Sequence, residues 1–174
     1  AVVIGFGATA RGAVTALNAH GVHEVAVLTN RQVAAVGSPI HSVRIRQFDL
    51  EPDGASMSVI TERGREPLAA YLAENDIVVN CTLQDPLAPI TYLDEEDLAA
   101  FRRGSLIVDV SCDEAMGFSW ARPTGFDDPA FEVGDHLLYY AVDHSPSYLW
   151  SSATWDNSAA LAPFLRAVLT GDEA

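Results

Sequence analysis

Ala1-Val2-Val3-Ile4-Gly5-Phe6-Gly7-Ala8-Thr9-Ala10 is the stretch whose reading decides the fold. Four apolar residues in a row suit a short strand buried on both faces of a parallel sheet, and Gly5 ends the run. From Ala8 to about His20 the apolar residues recur at helical spacing, with Ala13, Val14 and Leu17 on one face and Gly21 placed to cap the end. Strand, glycine turn and helix in immediate succession open a βαβ unit. The turn reads Gly-x-Gly-x-x-Ala. Gly5 permits the tight exit from the strand, Gly7 leaves space for a pyrophosphate, and Ala10 is small enough to let the helix pack closely on the sheet. The helix start at Ala8, Thr9 and Ala10 adds unpaired N–H groups and a positive partial charge, so the turn is a candidate dinucleotide site.

Working outward, the spacing predicts a second strand at 24–28, with a short helix after Thr29-Asn30-Arg31. Residues 43–48 alternate apolar and polar, which fits a strand at the sheet edge, while residues 51–65 give no firm assignment. A helix is expected at 67–73 with Pro67 near its start, then a buried strand at 76–80. Residues 94–103 read as an acidic-start, basic-end helix closed by Gly104, and 105–110 as a strand. A long segment with Pro and Gly spans 111–134, a last strand lies at 137–142, and Ser145 and Pro146 open a helix running to about Leu169. Buried strands alternating with helices predict an α/β fold: a doubly wound parallel sheet of the Rossmann type in three α/β/α layers, strand order 3-2-1-4-5-6 with right-handed crossovers.

Composition limits the ligand. The 174 residues are 49% apolar, enough for one domain's core, and carry a net charge of −14 from 24 acidic against 10 basic residues. A nucleic-acid backbone or an anionic membrane would be repelled, so any anion must be captured locally by backbone N–H groups and one or two arginines. With no apolar run of membrane-spanning length and no basic-then-apolar leader, the expected location is cytoplasmic. Cys81 and Cys112 form neither a disulfide framework nor a metal-ligand cluster, and each reads as structural. The chain starts inside a strand without an initiating Met, which points to a dinucleotide-binding domain at 1–174 cut from a larger two-domain enzyme.

An acidic residue about 20 positions after the fingerprint ordinarily accepts from the adenosine ribose 2′-OH. Here that place holds Thr29, Asn30 and Arg31, and a guanidinium suits a 2′-phosphate, so NADP(H) is favoured over NAD(H). Arg11 is either a phosphate contact or an exposed residue. Ligands of open α/β sheets lie across the carboxyl ends of the strands. There Cys81, Thr82 and Leu83 would run near the nicotinamide ribose. Asp109 must have its carboxylate satisfied by nearby loop N–H groups, Asp113 is free to orient a substrate amine, and Asp143-His144 stands beside a helix start. His20, His23, His41 and His136 read as surface or loop residues, and the three tryptophans, Trp120, Trp150 and Trp155, as packing residues.

These segments together resemble the nucleotide-binding domain of the alanine dehydrogenase and lysine-forming saccharopine dehydrogenase group, and within it the N5-(carboxyethyl)ornithine synthases. The resemblance rests on Gly5-Phe6-Gly7-Ala8-Thr9-Ala10-Arg11-Gly12-Ala13, Val78-Val79-Asn80-Cys81, Ile107-Val108-Asp109-Val110-Ser111-Cys112-Asp113 and Val142-Asp143-His144-Ser145-Pro146-Ser147. It implies reduction of an imine formed from an α-keto acid, such as pyruvate, and an amino acid's amine. It also places Asp113 and Asp143 near nicotinamide and substrate, with His144 in support, while the group's principal Lys and His belong to the other domain. Small-molecule substrates are then the partners, and a homo-oligomer is compatible. The alternatives are a simpler amino-acid or shikimate-type dehydrogenase and an NADP(H)-sensing domain without turnover.

Overall fold

The computed structural model describes residues 1–31, 43–51 and 56–171. Two compact units make up the chain, Ala1–Asp143 and His144–Ala174. In chain order the strands of the first unit are β1 (Val2–Ile4), β2 (Ala26–Thr29), β3 (Arg44–Leu50), β4 (Met57–Thr61), β5 (Gly64–Pro67), β6 (Ile77–Asn80), β7 (Thr91–Leu93), β8 (Ser105–Asp109), β9 (Gly117–Phe118), β10 (Ala130–Val133) and β11 (Leu137–Tyr140). Six of them form a parallel core in the order β3-β2-β1-β6-β8-β11, which is the 3-2-1-4-5-6 order read from the sequence. The register sets Val3 against Val27 on one side and Val79 on the other, and Asn80 against Asp109.

β1 is buried along its whole length because helices cover both faces of the sheet. Helix α1 (Ala8–Ala19) lays Ala10 and Val14 on Val3, Val25, Val27 and Val79. Helix α2 (Leu68–Ala73) packs Leu68, Leu72 and Ala73 with Val2, Ile4 and Leu28 on the opposite face. That second core is finished by rings: Phe118, fully buried, meets Tyr92 and Tyr139 edge-on at 6.4 and 5.8 Å and stacks on Trp120 at 5.7 Å. The result is the α/β/α layering expected of the sequence.

Three expectations are corrected. β3 is not an edge strand, because β4 pairs antiparallel to it and β5 to β4, so the sheet extends by a hairpin where residues 51–65 gave no assignment. The hairpin hides behind charge: Glu62 and Arg63 form the two-residue turn, Gly64 follows at φ +112°, and Arg63 pairs with Glu66 at 2.7 Å. At the other edge β10 adds antiparallel to β11, within the long segment at 111–134. The expected helix at 94–103 is shorter, a 3-10 turn at Glu95–Ala100. It stops because Phe101 turns to extended backbone to bury its ring, leaving Arg102 and Arg103 outside. Its start is a reciprocal cap: Asp94 accepts from the Glu96 N–H at 2.8 Å, and Asp97 accepts from the Asp94 N–H at 3.0 Å. Replacing Asp94 with Ala should cost about 1 kcal/mol, read by urea unfolding; an unchanged midpoint would show that the cap is idle.

The second unit carries the expected C-terminal helix in pieces. A 3-10 turn at Ser145–Leu149 leads into helix α3 (Trp150–Leu161), a second turn at Ala162–Phe164 and helix α4 (Leu165–Thr170). Pro163 explains the break, since it has no N–H for the helical ladder. His144, not Ser145, holds the N-cap position. Trp120 packs in the core, as expected, while Trp150 and Trp155 in the second unit are 72% and 75% exposed and add nothing to that core. The short helix expected after Arg31 falls outside the described residues. Among the described residues no helix is long and apolar enough to cross a membrane.

Candidate functional site

The glycine turn is bolted to both neighbouring strands. Gly5 donates its N–H to the Leu28 carbonyl, and Cys81 donates to the Ile4 carbonyl, both at 2.8 Å. Gly5 sits at φ +116°, and a Cβ there would lie 2.9 Å from the Cys81 carbonyl oxygen, so this position needs glycine for its backbone and for its space. Gly7 differs. It is the N-cap of α1 in extended conformation, and a Cβ on it would meet nothing within 4 Å. No side chain caps α1 and no acidic residue lies in its first turn, which leaves its first N–H groups and the helix dipole open to an anion. Arg11 holds its guanidinium over the Phe6 ring, 4.9 Å from the centroid.

A cavity of about 710 Å³ opens beside the turn at the carboxyl ends of the strands. It gathers Gly5, Gly7 and Thr9 from the turn, Thr29, Asn30 and Arg31 from the end of β2, and Cys81, Thr82 and Leu83 from the end of β6. Thr29 accepts the Arg31 N–H on its hydroxyl at 3.1 Å, which shapes the bend presenting Asn30 and Arg31. Two expected contacts are absent from this wall. Ala8 is an exposed first residue of α1, and Ala10 is fully buried in the core, where it serves packing. The volume and donor set fit a dinucleotide: bare N–H groups for phosphates at one wall and a guanidinium beside a hydroxyl at the ribose end.

Sequence reasoning missed the third wall, formed by Phe48, Asp49, Leu50 and Met57 from β3 and β4. Asp49 brings a carboxylate to the cavity that also lines up with Arg65 at 3.1 Å and accepts from Gln47 at 2.8 Å. Its signal in the sequence was only its place just past the alternating run. The loop after β6 completes the cavity with Gln84, Ala88 and Ile90, and Gln84 closes it by bonding both backbone groups of Ile90.

A smaller cavity of about 240 Å³ adjoins the first and shares Thr9, Cys81, Thr82 and Leu83 with it. Its other wall is Val110, Ser111 and Asp113 at the end of β8, so the structure brings Asp113 next to the expected path of a dinucleotide. Asp143 is exposed and lines neither cavity, though its charge, with those of Asp109 and Asp113, bears on the Cys112 thiol. His144 begins the second unit.

Behind that wall lies a buried polar network. Asp109 is 1% exposed, and its carboxylate accepts from Asn80 Nδ2 at 2.9 Å, the Cys112 N–H at 3.1 Å and the Tyr139 hydroxyl at 2.6 Å. Burial pushes its pKa up, against these hydrogen bonds, which favour the charged form. Asn80, wholly buried, uses its carbonyl to accept the Thr82 hydroxyl at 2.7 Å and the Thr82 N–H at 3.3 Å. Burial also raises both thiols, that of Cys81 to about 12, with the Asp109 charge adding to the effect. Neither cysteine is a thiolate at neutral pH, which agrees with a structural role.

The family model described as "Alanine dehydrogenase/PNT, C-terminal domain" matches residues 1–174. An alanine dehydrogenase of Halomonas elongata is 25% identical over 103 residues, covering 59% of this chain and 28% of the relative. Among solved structures, an L-alanine dehydrogenase superposes with TM-score 0.70 at 18% identity over 98% of this chain and 44% of that one. A transhydrogenase from Sinorhizobium meliloti gives 0.63 at 20% identity over 97% and 44%. The chain thus spans less than half the length of the proteins it resembles. At these identities the structural likeness speaks for the fold.

Proposed function

This chain belongs to the alanine dehydrogenase/PNT C-terminal domain family, and from that premise we propose that it is the NADP(H)-binding domain of an oxidoreductase acting on CH–NH bonds. The reaction is reduction of an imine formed from an α-keto acid and an amino acid's amine, giving an opine-type secondary amine. The observation that carries this is the pair of adjoining cavities, which run from Arg31 past the glycine turn to Asp113. NADP(H), when bound, supplies the hydride. The turn's N–H groups hold the pyrophosphate and Arg31 the 2′-phosphate, while Cys81, Thr82 and Leu83 flank the nicotinamide ribose. Asp113 orients the amine and manages its protons, and Asp143 and His144 are the further candidates for proton handling. A companion domain supplies the opposite wall, and substrates and cofactor are the small-molecule partners.

The cofactor reading is tested by titrating NADPH and NADH. Replacing Arg31 with Ala should weaken NADPH by about 1–3 kcal/mol and leave NADH nearly unchanged; equal losses would remove Arg31 from the phosphate site. A second reading rests on Asp49, a carboxylate in the same cavity able to accept from a ribose 2′-OH, and it expects NADH to bind tighter. The 3.1 Å ion pair with Arg65 offsets that charge and favours the first reading. The reaction class is tested by following NADPH oxidation by the full-length protein with pyruvate and a panel of amino acids. Absence of turnover with every pair would overturn it.

A further inference from the structure

Asp109 takes no part in the chemistry proposed above, yet it stands where the two loops facing the smaller cavity meet. It draws donors from three elements: Asn80 at the end of β6, Tyr139 in β11, and the Cys112 N–H, with the Ser111 backbone beside it, in the loop after β8. Asn80 passes the tie onward, because its carbonyl holds both the N–H and the hydroxyl of Thr82. The circuit closes when the Ser111 hydroxyl donates to the Thr82 carbonyl, while the Tyr92 hydroxyl donates to Thr82 Oγ1 at 3.1 Å. Thr82 is a wall of both cavities and Asp113 of the smaller one. No arginine or lysine pairs with Asp109 in these contacts, so its charge is held by hydrogen bonds alone. Cys112, held by one of those bonds, sits at φ +46°, a backbone region that an L residue keeps only where its surroundings impose it.

We propose that Asp109 is a positioning residue whose buried carboxylate locks the loops after β6 and β8 into one unit, and so sets the distance between the dinucleotide at Thr82 and the Asp113 carboxylate. The consequence for turnover rests on the function proposed above; the tie itself does not. A carboxylate suits the task because one oxygen serves both Asn80 and Cys112 while the other serves Tyr139. An apolar residue would leave three buried donors facing one another.

The test uses the full-length protein, with backbone hydrogen exchange followed by mass spectrometry in peptides spanning 78–83 and 109–114, dinucleotide affinity, and steady-state turnover. Asp109→Ala should speed exchange in both peptides together, lower kcat by about tenfold or more, and weaken dinucleotide binding by less than that. Asp109→Asn keeps one oxygen for Asn80 and Cys112 and turns its amide to the Tyr139 oxygen, so it should recover most of the loss. Asn80→Ala cuts the tie from the other side, and should speed exchange at 109–114, far from its own position in sequence. Faster exchange confined to the mutated loop, or an unchanged kcat in folded Asp109→Ala, would overturn the proposal. If Asp109→Ala does not fold, Asn80→Ala decides it by the same exchange readout. Wild type that turns over no substrate would sink the proposed reaction, while reciprocal exchange would still establish the tie.

Discussion

Asp113→Asn in the full-length protein is expected to lower kcat by about 100- to 10,000-fold while leaving dinucleotide affinity within about threefold. Asp113 is the carboxylate that the strand order delivers to the smaller cavity, beside Thr9 and Thr82 and next to the space assigned to the dinucleotide. Imine formation and its reversal move protons on and off a carbinolamine, and a neutral amide in the same volume can neither accept nor return one. Steady-state kinetics with NADPH, combined with a fluorescence titration of the cofactor, separates the two quantities. A kcat within about threefold of wild type would strip Asp113 of its role and move attention to Asp143 and His144. A parallel loss of affinity would mean that the substitution disturbed the loop instead.

The fold was legible in the sequence where one periodicity ruled a segment. β1 and β6 are short runs buried almost throughout, and α1 repeats its buried residues, Ala10 and Val14, at helical spacing on one face, so each segment answers a single demand, and the order of the six parallel strands followed from right-handed crossovers. Legibility failed where charge and turn chemistry masked a strand. Residues 62–66 read Glu-Arg-Gly-Arg-Glu, a charged, exposed turn and strand start that hides the outer hairpin, and the pairing of β4 with β3 is a tertiary fact. The site divides in the same way. Gly5, Gly7, Thr29 and Arg31 were readable because they lie within one βαβ unit at motif spacing. Asp49 was not, since its arrival depends on where β3 ends relative to β2. Asp109 was visible as a buried carboxylate needing donors, but two of those donors, Asn80 and Tyr139, lie about 30 residues away in the chain.

The two glycines of the turn should respond oppositely to the same change, and the contrast tests the site more sharply than either alone. Gly5→Ala places a Cβ 2.9 Å from the Cys81 carbonyl oxygen at a φ of +116°. Neither partner has room to yield, because the Gly5 N–H is bonded to Leu28 and the Cys81 N–H to Ile4. Backbone strain of about 1–3 kcal/mol adds to an overpacking cost of about 1–3 kcal/mol, so the loss should be about 4 kcal/mol in denaturant unfolding, a large share of a domain's stability. Gly7→Ala meets nothing within 4 Å and keeps an ordinary negative φ of −81°. Its stability should stay within about 1 kcal/mol of wild type, since alanine has fewer unfolded conformations to lose but is the poorer residue at a helix N-cap. Yet its methyl points into the space where a pyrophosphate would approach the helix N-terminus, so dinucleotide affinity should fall by about tenfold or more. The predicted pattern is therefore one variant that unfolds easily and one that is stable but binds poorly. A stable Gly7→Ala protein that binds NADPH as well as wild type would place the phosphates somewhere other than this turn, and the assignment of the larger cavity would fail with it.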